Sequence, residues 1–381
     1  MKRRNFLRIA GSSSVILAAN SSIISCSSIS DSAANRPWYI AGSGYNEPRL
    51  RALSWAILAP NPHNRQPWLV TLGEQMSLSL SIDIRKVLPE TDPFNRQILI
   101  GLGCFSELLA MAAAEDGYQL EFNWFPDGVV DEKGLLDGRA IANVNFIKGG
   151  KPKPLFKQVL KRRSYKQTFE NKPISNPTLT EIGLAQSIGS TLNMSNATHF
   201  IQQMRKLTVA AMEIELTTER TYLESMNLLR IGTDEVRANP DGIPLDGYTF
   251  MWLRMLGIFT HEDSKNLHSA ASKRARKDLL EIIDSSQAYL WITTPGNSRR
   301  DQIAAGHTYL RANLKVTELG LKMHPISQSL QEYDEMRDIA NSVNQLVAIK
   351  HPERLQMLAR IGYGEETKAS PRWPIDKFIV G

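Results

Sequence analysis

Cysteine is nearly missing from this chain: two in 381 residues exclude a disulfide-stapled scaffold. The seven histidines are scattered and no His-Glu-x-x-His occurs, which excludes the usual helix-borne zinc site. Also absent are Cys-x-x-Cys, Gly-x-Ser-x-Gly and a phosphate-loop sequence, so no redox dithiol, serine elbow or Walker-type nucleotide site is encoded. What is present is ordinary for a globular protein, 42% hydrophobic and 22% charged, and excludes disorder or a collagen-like repeat. At roughly 150 residues per domain, the length suggests two domains or one large assembly. Lys+Arg 45 against Asp+Glu 39 gives a net charge of +6, but four of those cations stand in the first eight residues, ahead of any acidic residue before Asp31. Without those four the balance is 41 to 39, which points away from nucleic acid.

Lys2-Arg3-Arg4-Asn5-Phe6-Leu7-Arg8 precedes a weakly apolar stretch diluted by Gly11, Asn20 and serines, and looks like a twin-arginine export signal over residues 1–34. A surface helix or membrane anchor is the alternative, although a permanent span needs about 20 mainly apolar residues. Ile23-Ile24-Ser25-Cys26 resembles a lipoprotein box, making Cys26 a candidate lipidation site, while a cut after Ser32-Ala33-Ala34 would leave a soluble product. The expectation is a periplasmic protein, exported by the twin-arginine translocase and lipid-anchored if Cys26 is acylated. That route carries folded clients, commonly with a cofactor already bound. Cys104 then has no partner and reads as a small buried hydrophobe.

Residues 35–47 read as a linker, followed by two divergent copies of one α+β unit over residues 48–150 and 151–381. In the first copy a helical pattern at Leu50, Leu53, Ala56 and Ile57 runs into Ala59-Pro60-Asn61-Pro62-His63-Asn64-Arg65-Gln66-Pro67-Trp68 and then a strand over residues 68–72. In the second copy a helix over residues 184–190, a polar loop at Asn193 and a strand over residues 198–201 are expected. Long apolar helices over residues 96–117 and 301–320 each end in glycine. An insertion over residues 205–276 holds an amphipathic helix over residues 204–229 and an apolar segment, residues 250–259, that reads equally as core or as a lid. His261 and His268 read as surface residues, and Trp68 as core.

Asn64-Arg65-Gln66-Pro67-Trp68 after Ala59-Pro60, and Arg162-Arg163-Ser164-Tyr165-Lys166 followed by Phe169 and Pro173, together resemble the nitroreductase family of FMN-dependent flavoproteins, most of all its single-chain Acg-like branch. The resemblance implies a nitroreductase-like fold in which a family dimer is fused into one chain, with one FMN between the halves. Each half keeps one motif that the other lacks, so one interface site is complete. The resemblance further implies that Arg162, Arg163, Ser164, Lys166 and Arg372 surround the FMN phosphate. Pro60, Asn61, Pro62, Asn64 and Gln66 would reach the ring, as would Pro325, Ile326, Ser327 and Gln328, although many members have Glu-Gly where Ser327-Gln328 stands. Guanidinium forks and an ammonium suit a phosphate dianion, and a proline-stiffened amide loop suits a flavin edge.

The implied activity is a two-step hydride transfer from a donor such as NAD(P)H, through FMN, to a nitroaromatic or quinone. No catalytic side chain is required, because the flavin carries the chemistry. An FMN-binding or sequestering protein with little turnover is the alternative, since soluble nicotinamide cofactors are scarce outside the cytoplasm; a flavin-free scaffold is a third reading. A monomer is expected, because the fused halves already bury the family interface.

Overall fold

The computed structural model describes residues 33–131 and 133–380; the export segment and Cys26 lie outside the described residues. The chain begins with helices α1 (Arg36–Ile40) and α2 (Pro48–Ala56) and strands β1 (Trp68–Leu72) and β2 (Ser77–Ile82). Helix α3 (Arg96–Glu115) and strands β3 (Tyr118–Trp124) and β4 (Ala142–Lys148) follow. The second half brings α4 (Asn176–Gly183), β5 (Thr191–Ser195), α5 (Thr198–Thr217), α6 (Glu219–Asn227), β6 (Leu229–Ile231), α7 (Thr233–Ala238) and β7 (Ile243–Leu245). After these come α8 (Tyr248–Met255), α9 (His261–Lys265), α10 (Ala270–Asp284), β8 (Ala288–Thr294), α11 (Arg299–Glu318), β9 (Lys322–Pro325), α12 (Arg337–Leu346) and β10 (Arg354–Gly362).

With the segment between β5 and β8 set aside, both halves follow one plan: helix, two strands, a 20-residue helix, two strands. The sheets have the orders β1-β2-β4-β3 and β5-β8-β10-β9, with every neighbouring pair antiparallel. One topology used twice is an α+β fold of two like halves.

Helices α3 and α11 cross at the centre. Asp92 accepts from the N–H groups of Gln97 and Ile98, both at 3.0 Å, and a Ser298/Asp301 capping box opens α11. Gly117 and Gly320, at φ +76° and +72°, end the two helices. At the crossing a Cβ on Gly103 would lie 2.3 Å from the Ile303 carbonyl oxygen, and one on Gly306 would lie 2.2 Å from that of Ile100. Only hydrogen at both positions allows this approach. Helix α3 is long and apolar enough to cross a bilayer, but 89% of that apolar window is buried inside the protein, so its hydrophobicity is explained as core.

The halves are also intertwined. After β10 the chain returns to the first sheet, where Val70 donates to the Phe378 oxygen at 2.8 Å and accepts from Val380 at 2.9 Å. Phe378 packs edge-on to the fully buried Trp68. The tail of the second copy thereby completes the core of the first.

Several expectations need correction. Residues 35–47 are no loose linker: α1 carries the buried Trp38, whose indole donates to the Ser370 oxygen at 2.8 Å. In the second copy the helix comes earlier, because Ser175 caps it and Pro177 preorganises its first turn. Residues 184–190 are the loop, with Ile188 97% exposed, and the strand is Thr191–Ser195. The stretch expected as a strand over residues 198–201 opens α5. The insertion is larger than residues 205–276, filling the space from β5 to β8 where the first half has only a turn, and its amphipathic stretch breaks at Thr218 into α5 and α6. Residues 250–259 present Trp252, Met255 and Leu256 to solvent, 55%, 62% and 67% exposed, so these side chains are not core.

Candidate functional site

The loop joining α2 to β1 is strained. His63, Asn64 and Gln66 have φ of 46°, 53° and 50°, a region that costs energy for any residue with a Cβ. The amide side chains expected to meet a ligand are engaged in holding this shape. Asn61 Oδ1 accepts from the Gln66 N–H at 2.7 Å. Gln66, fully buried, donates to the Pro240 oxygen at 2.8 Å and accepts from the Trp373 N–H at 3.0 Å. Asn64 donates to the Pro371 oxygen and accepts from Arg372. The turn at residues 239–242 thus grips the loop from one side and the C-terminal segment from the other. His63 Nδ1 is buried without a hydrogen-bond partner. Pro60 is buried and Pro62 half-buried.

The arginine segment lies alongside β9, where the Tyr165 N–H donates to the Met323 oxygen at 2.9 Å. Three guanidiniums gather there around one indole, with Arg163, Arg372 and Arg162 at 4.8, 5.5 and 5.9 Å from the Trp38 ring centre. Their hydrogen bonds differ. Arg372 is saturated: it donates to the carbonyls of Ile57, Leu58, Ala59 and Pro371 and to Asn64, placing its charge on the C-terminal end of α2. Arg163 donates to the carbonyls of Leu160, Arg162 and Thr367. Among the described residues Arg162 reaches only the Leu58 oxygen, at 3.2 Å, and its Nε and Nη1 are buried with no partner. Burial first, then repulsion from Arg163, pulls Arg162 down to about 10; burial, Arg162 and Arg163 pull Arg372 down to about 9. Both stay charged at neutral pH.

Lys166 is exposed to solvent; desolvation lowers its pKa and Glu215 raises it. Three further groups feel its charge: His63, Glu215 on α5, and His324 on β9. Burial, then Lys166 and Arg65, depress His63 to about 4. Burial, then Arg360 and Lys166, hold His324 well below its ordinary value, and its Nδ1 accepts from Arg360 Nε at 3.0 Å. β9 ends at Pro325 and the chain continues through Ile326 to Ser327, whose hydroxyl bridges the N–H and oxygen of Leu358. Gln328 faces Glu215 and has a buried, unpartnered Oε1.

The structure places Arg162 and Arg372 against the end of α2 and the strained loop, and runs the arginine segment alongside β9, which leads into Ile326, Ser327 and Gln328. Ser164 is half-buried between Arg163 and Tyr165. Sequence reasoning missed Trp38, His324 and Glu215 as parts of this region and did not single out His63, although it sits inside the loop motif. Nothing in the sequence pattern of α5 separates Glu215 from its other glutamate, the half-buried Glu213. Among the described residues no group of three or more His, Cys, Asp or Glu side chains is arranged to hold a metal ion.

His63 makes a pH prediction. Its pKa falls from 6.5 to about 4 on folding, so its contribution to stability is complete above pH 6.5 and is lost as the pH falls to about 4. Urea unfolding at about pH 7 and about pH 4.5 is expected to show His63→Asn, which tolerates positive φ, losing roughly 2 kcal/mol less stability across that window than the wild type.

No family model matches the chain. Among curated proteins it is 20% identical over 302 residues to "Probable NAD(P)H nitroreductase PigM" of a Serratia species, an alignment spanning 77% of this chain and 83% of that protein. An uncharacterized protein of Mycobacterium tuberculosis is 19% identical over 348 residues, spanning 86% of this chain and 91% of its own. Among solved structures, the FMN-dependent nitroreductase NfnB from Mycobacterium smegmatis in complex with NADPH is 15% identical at a TM-score of 0.37, covering 60% of this chain and 97% of that one. A nitroreductase with bound FMN from Desulfitobacterium hafniense is 12% identical at a TM-score of 0.36, covering 60% and 97%.

Proposed function

We propose that this chain is an FMN-dependent oxidoreductase of the nitroreductase type, a fused pseudo-dimer holding one FMN between its halves. The observation that carries the reading is Arg162, a buried guanidinium with two open donor nitrogens, two further cations beside it and, among the described residues, no anion bonded to it. Burying such a charge is costly unless an anion completes it, and a phosphate dianion fits that donor set. The likeness to a protein described as an NAD(P)H nitroreductase agrees with this.

When bound, FMN would supply the hydride chemistry, accepting from a reduced nicotinamide or similar donor and releasing to a nitroaromatic or quinone in a ping-pong cycle. The chain's own residues would bind and orient it. Arg162, Arg163 and Ser164 would hold the phosphate, while Arg372 positions the end of α2 rather than the ligand. Lys166 would stabilise negative charge at the ring end, where His63 and His324, both neutral at physiological pH, add no further cation. The strained loop, locked by Asn61, Asn64 and Gln66, offers a rigid wall that keeps the ordering cost of binding low. Twin-arginine export, periplasmic residence and lipidation at Cys26 belong to the same reading and rest on the sequence. A monomer belongs to the same reading, supported by the α3–α11 contact and the pairing of the C-terminal tail with β1, both within one chain.

The test is the absorption spectrum of the purified protein after addition of FMN, followed by anaerobic mixing with NADH, NADPH or dithionite. Stoichiometric flavin uptake and rapid bleaching by a nicotinamide are the expected results. Uptake with bleaching by dithionite alone would favour a sequestering protein, and a protein that takes up no FMN rules out both.

A further inference from the structure

Helix α8 turns apolar side chains outward. Trp252, Met255 and Leu256 stand three and four positions apart, on one helical face, and all three are exposed. Of the seven tryptophans only Trp252 is exposed; the others are buried or half-buried. The helix is held from its other side. A Cβ on Gly232 would lie 2.6 Å from the Met251 Cα, Arg254 Nε donates to the Ile231 oxygen at 3.1 Å, and the Arg254 guanidinium pairs with Asp234 and Glu235 on α7. From Tyr248 to Phe259 Arg254 is the single charged residue, and its charge is met by those carboxylates. Moving the outer face into an apolar medium therefore strips water from no unpaired charge of this stretch.

The described chain begins beside this face. The short helical turn Ala33–Asn35 packs against α7, and α7 against α8. Ala34 is fixed there, buried, with its oxygen accepting from the Arg372 N–H at 2.8 Å. Cys26 lies seven residues before Ala33, a length that spans at most about 25 Å when fully extended. Two successive helix-packing distances of about 8–10 Å separate Ala33 from α8, which puts α8 inside that radius.

We propose that the outer face of α8 is a membrane-docking surface, with Trp252, Met255 and Leu256 seated in the interface of the bilayer that holds acylated Cys26. The acyl chains keep the protein at the bilayer, and α8 sets which face of it lies there. The short tether keeps the local concentration of bilayer at α8 high, so three side chains suffice. A tryptophan suits the headgroup level, and the two aliphatic side chains reach below it. The inference rests on the anchoring part of the proposed function and not on its flavin part.

Quenching of tryptophan fluorescence by brominated lipid tests it, because Trp252 alone stands outside. The full chain, with whatever acylation Cys26 receives on expression, is reconstituted with phosphatidylcholine vesicles with and without bromine on the acyl chains, and its intact mass reports the acylation. Bromine-dependent quenching is expected in the wild type, absent from Trp252→Phe and reduced by more than half in the Met255→Ser/Leu256→Ser double variant. Both variants should keep the wild-type melting temperature, since exposed side chains are replaced. The quenching should persist at about 1 M salt, where surface charge is screened. An absence of quenching, with Cys26 acylated or not, overturns the proposal, as does quenching that salt abolishes. A dimer in solution that the double variant dissociates assigns the face to a second copy of the chain and also overturns it. Quenching in an unacylated chain removes the anchor from the proposed function and leaves the docking face standing.

Discussion

Arg162→Ala is expected to weaken FMN binding by about 30-fold to several thousand-fold while leaving the flavin-free protein as stable as the wild type or more so. Removing one partner of a buried, hydrogen-bonded charge pair costs about 2–5 kcal/mol, and each 1.4 kcal/mol is tenfold in affinity. Without an anion Arg162 is a liability: its charge is desolvated, two of its donors are unmet, and it repels Arg163 and Arg372. Its deletion leaves only one carbonyl bond unmade. Arg372→Ala should behave in the opposite way, lowering the melting temperature without flavin because the Ile57, Leu58 and Ala59 carbonyls and the strained loop lose their common donor. Fluorescence titration with FMN and thermal unfolding of both variants separate a ligand-binding arginine from a structural one. Unchanged FMN affinity in Arg162→Ala would place the phosphate elsewhere.

That separation could not be read from the sequence, where Arg162, Arg163 and Arg372 looked alike as cations near matching motifs. What distinguishes them is which carbonyls happen to lie within reach, a tertiary property. The same limit explains the amide loop: Asn61, Asn64 and Gln66 were legible as a stiff polar turn, but the amides of Asn64 and Gln66 close on residues 240, 371 and 373, far away in the chain. The long central helices were legible because apolar content and terminal glycines are local signals. The second copy was misplaced by several residues because its weak apolar pattern around Leu184 and Ile188 lacks a cap, whereas Ser175-Asn176-Pro177 supplies one. Trp38 was hidden in a stretch whose glycines suggested a linker. Glu215 was hidden because burial of one glutamate on an inserted helix leaves no periodic trace.

Replacing either glycine at the α3–α11 crossing is expected to damage the fold more than any change in the arginine segment or the strained loop. Arg96, Ile100, Gly103 and Glu115 of α3 stand in the same helical positions as Arg299, Ile303, Gly306 and Glu318 of α11, so each glycine faces the carbonyl one turn before its counterpart. A Cβ on Gly103 would also lie 3.0 Å from the Gly306 Cα, and one on Gly306 would lie 2.8 Å from the Gly103 Cα. No side-chain rotation relieves contacts with backbone, so the helices must separate, loosening packing around Cys104, Phe105, Ile303 and Leu310. Overpacking of this kind costs about 1–3 kcal/mol, occasionally more. Gly103→Ala and Gly306→Ala are each expected to lie at or above the top of that range, and Gly103→Leu to abolish folding. Because one separation of the helices makes room for both methyls, the double alanine variant should lose clearly less than the sum of the singles, although distant substitutions normally add. Urea unfolding of the four proteins measures this. Strict additivity, or a Gly103→Ala protein as stable as the wild type, would mean that the two halves do not meet backbone to backbone at these glycines.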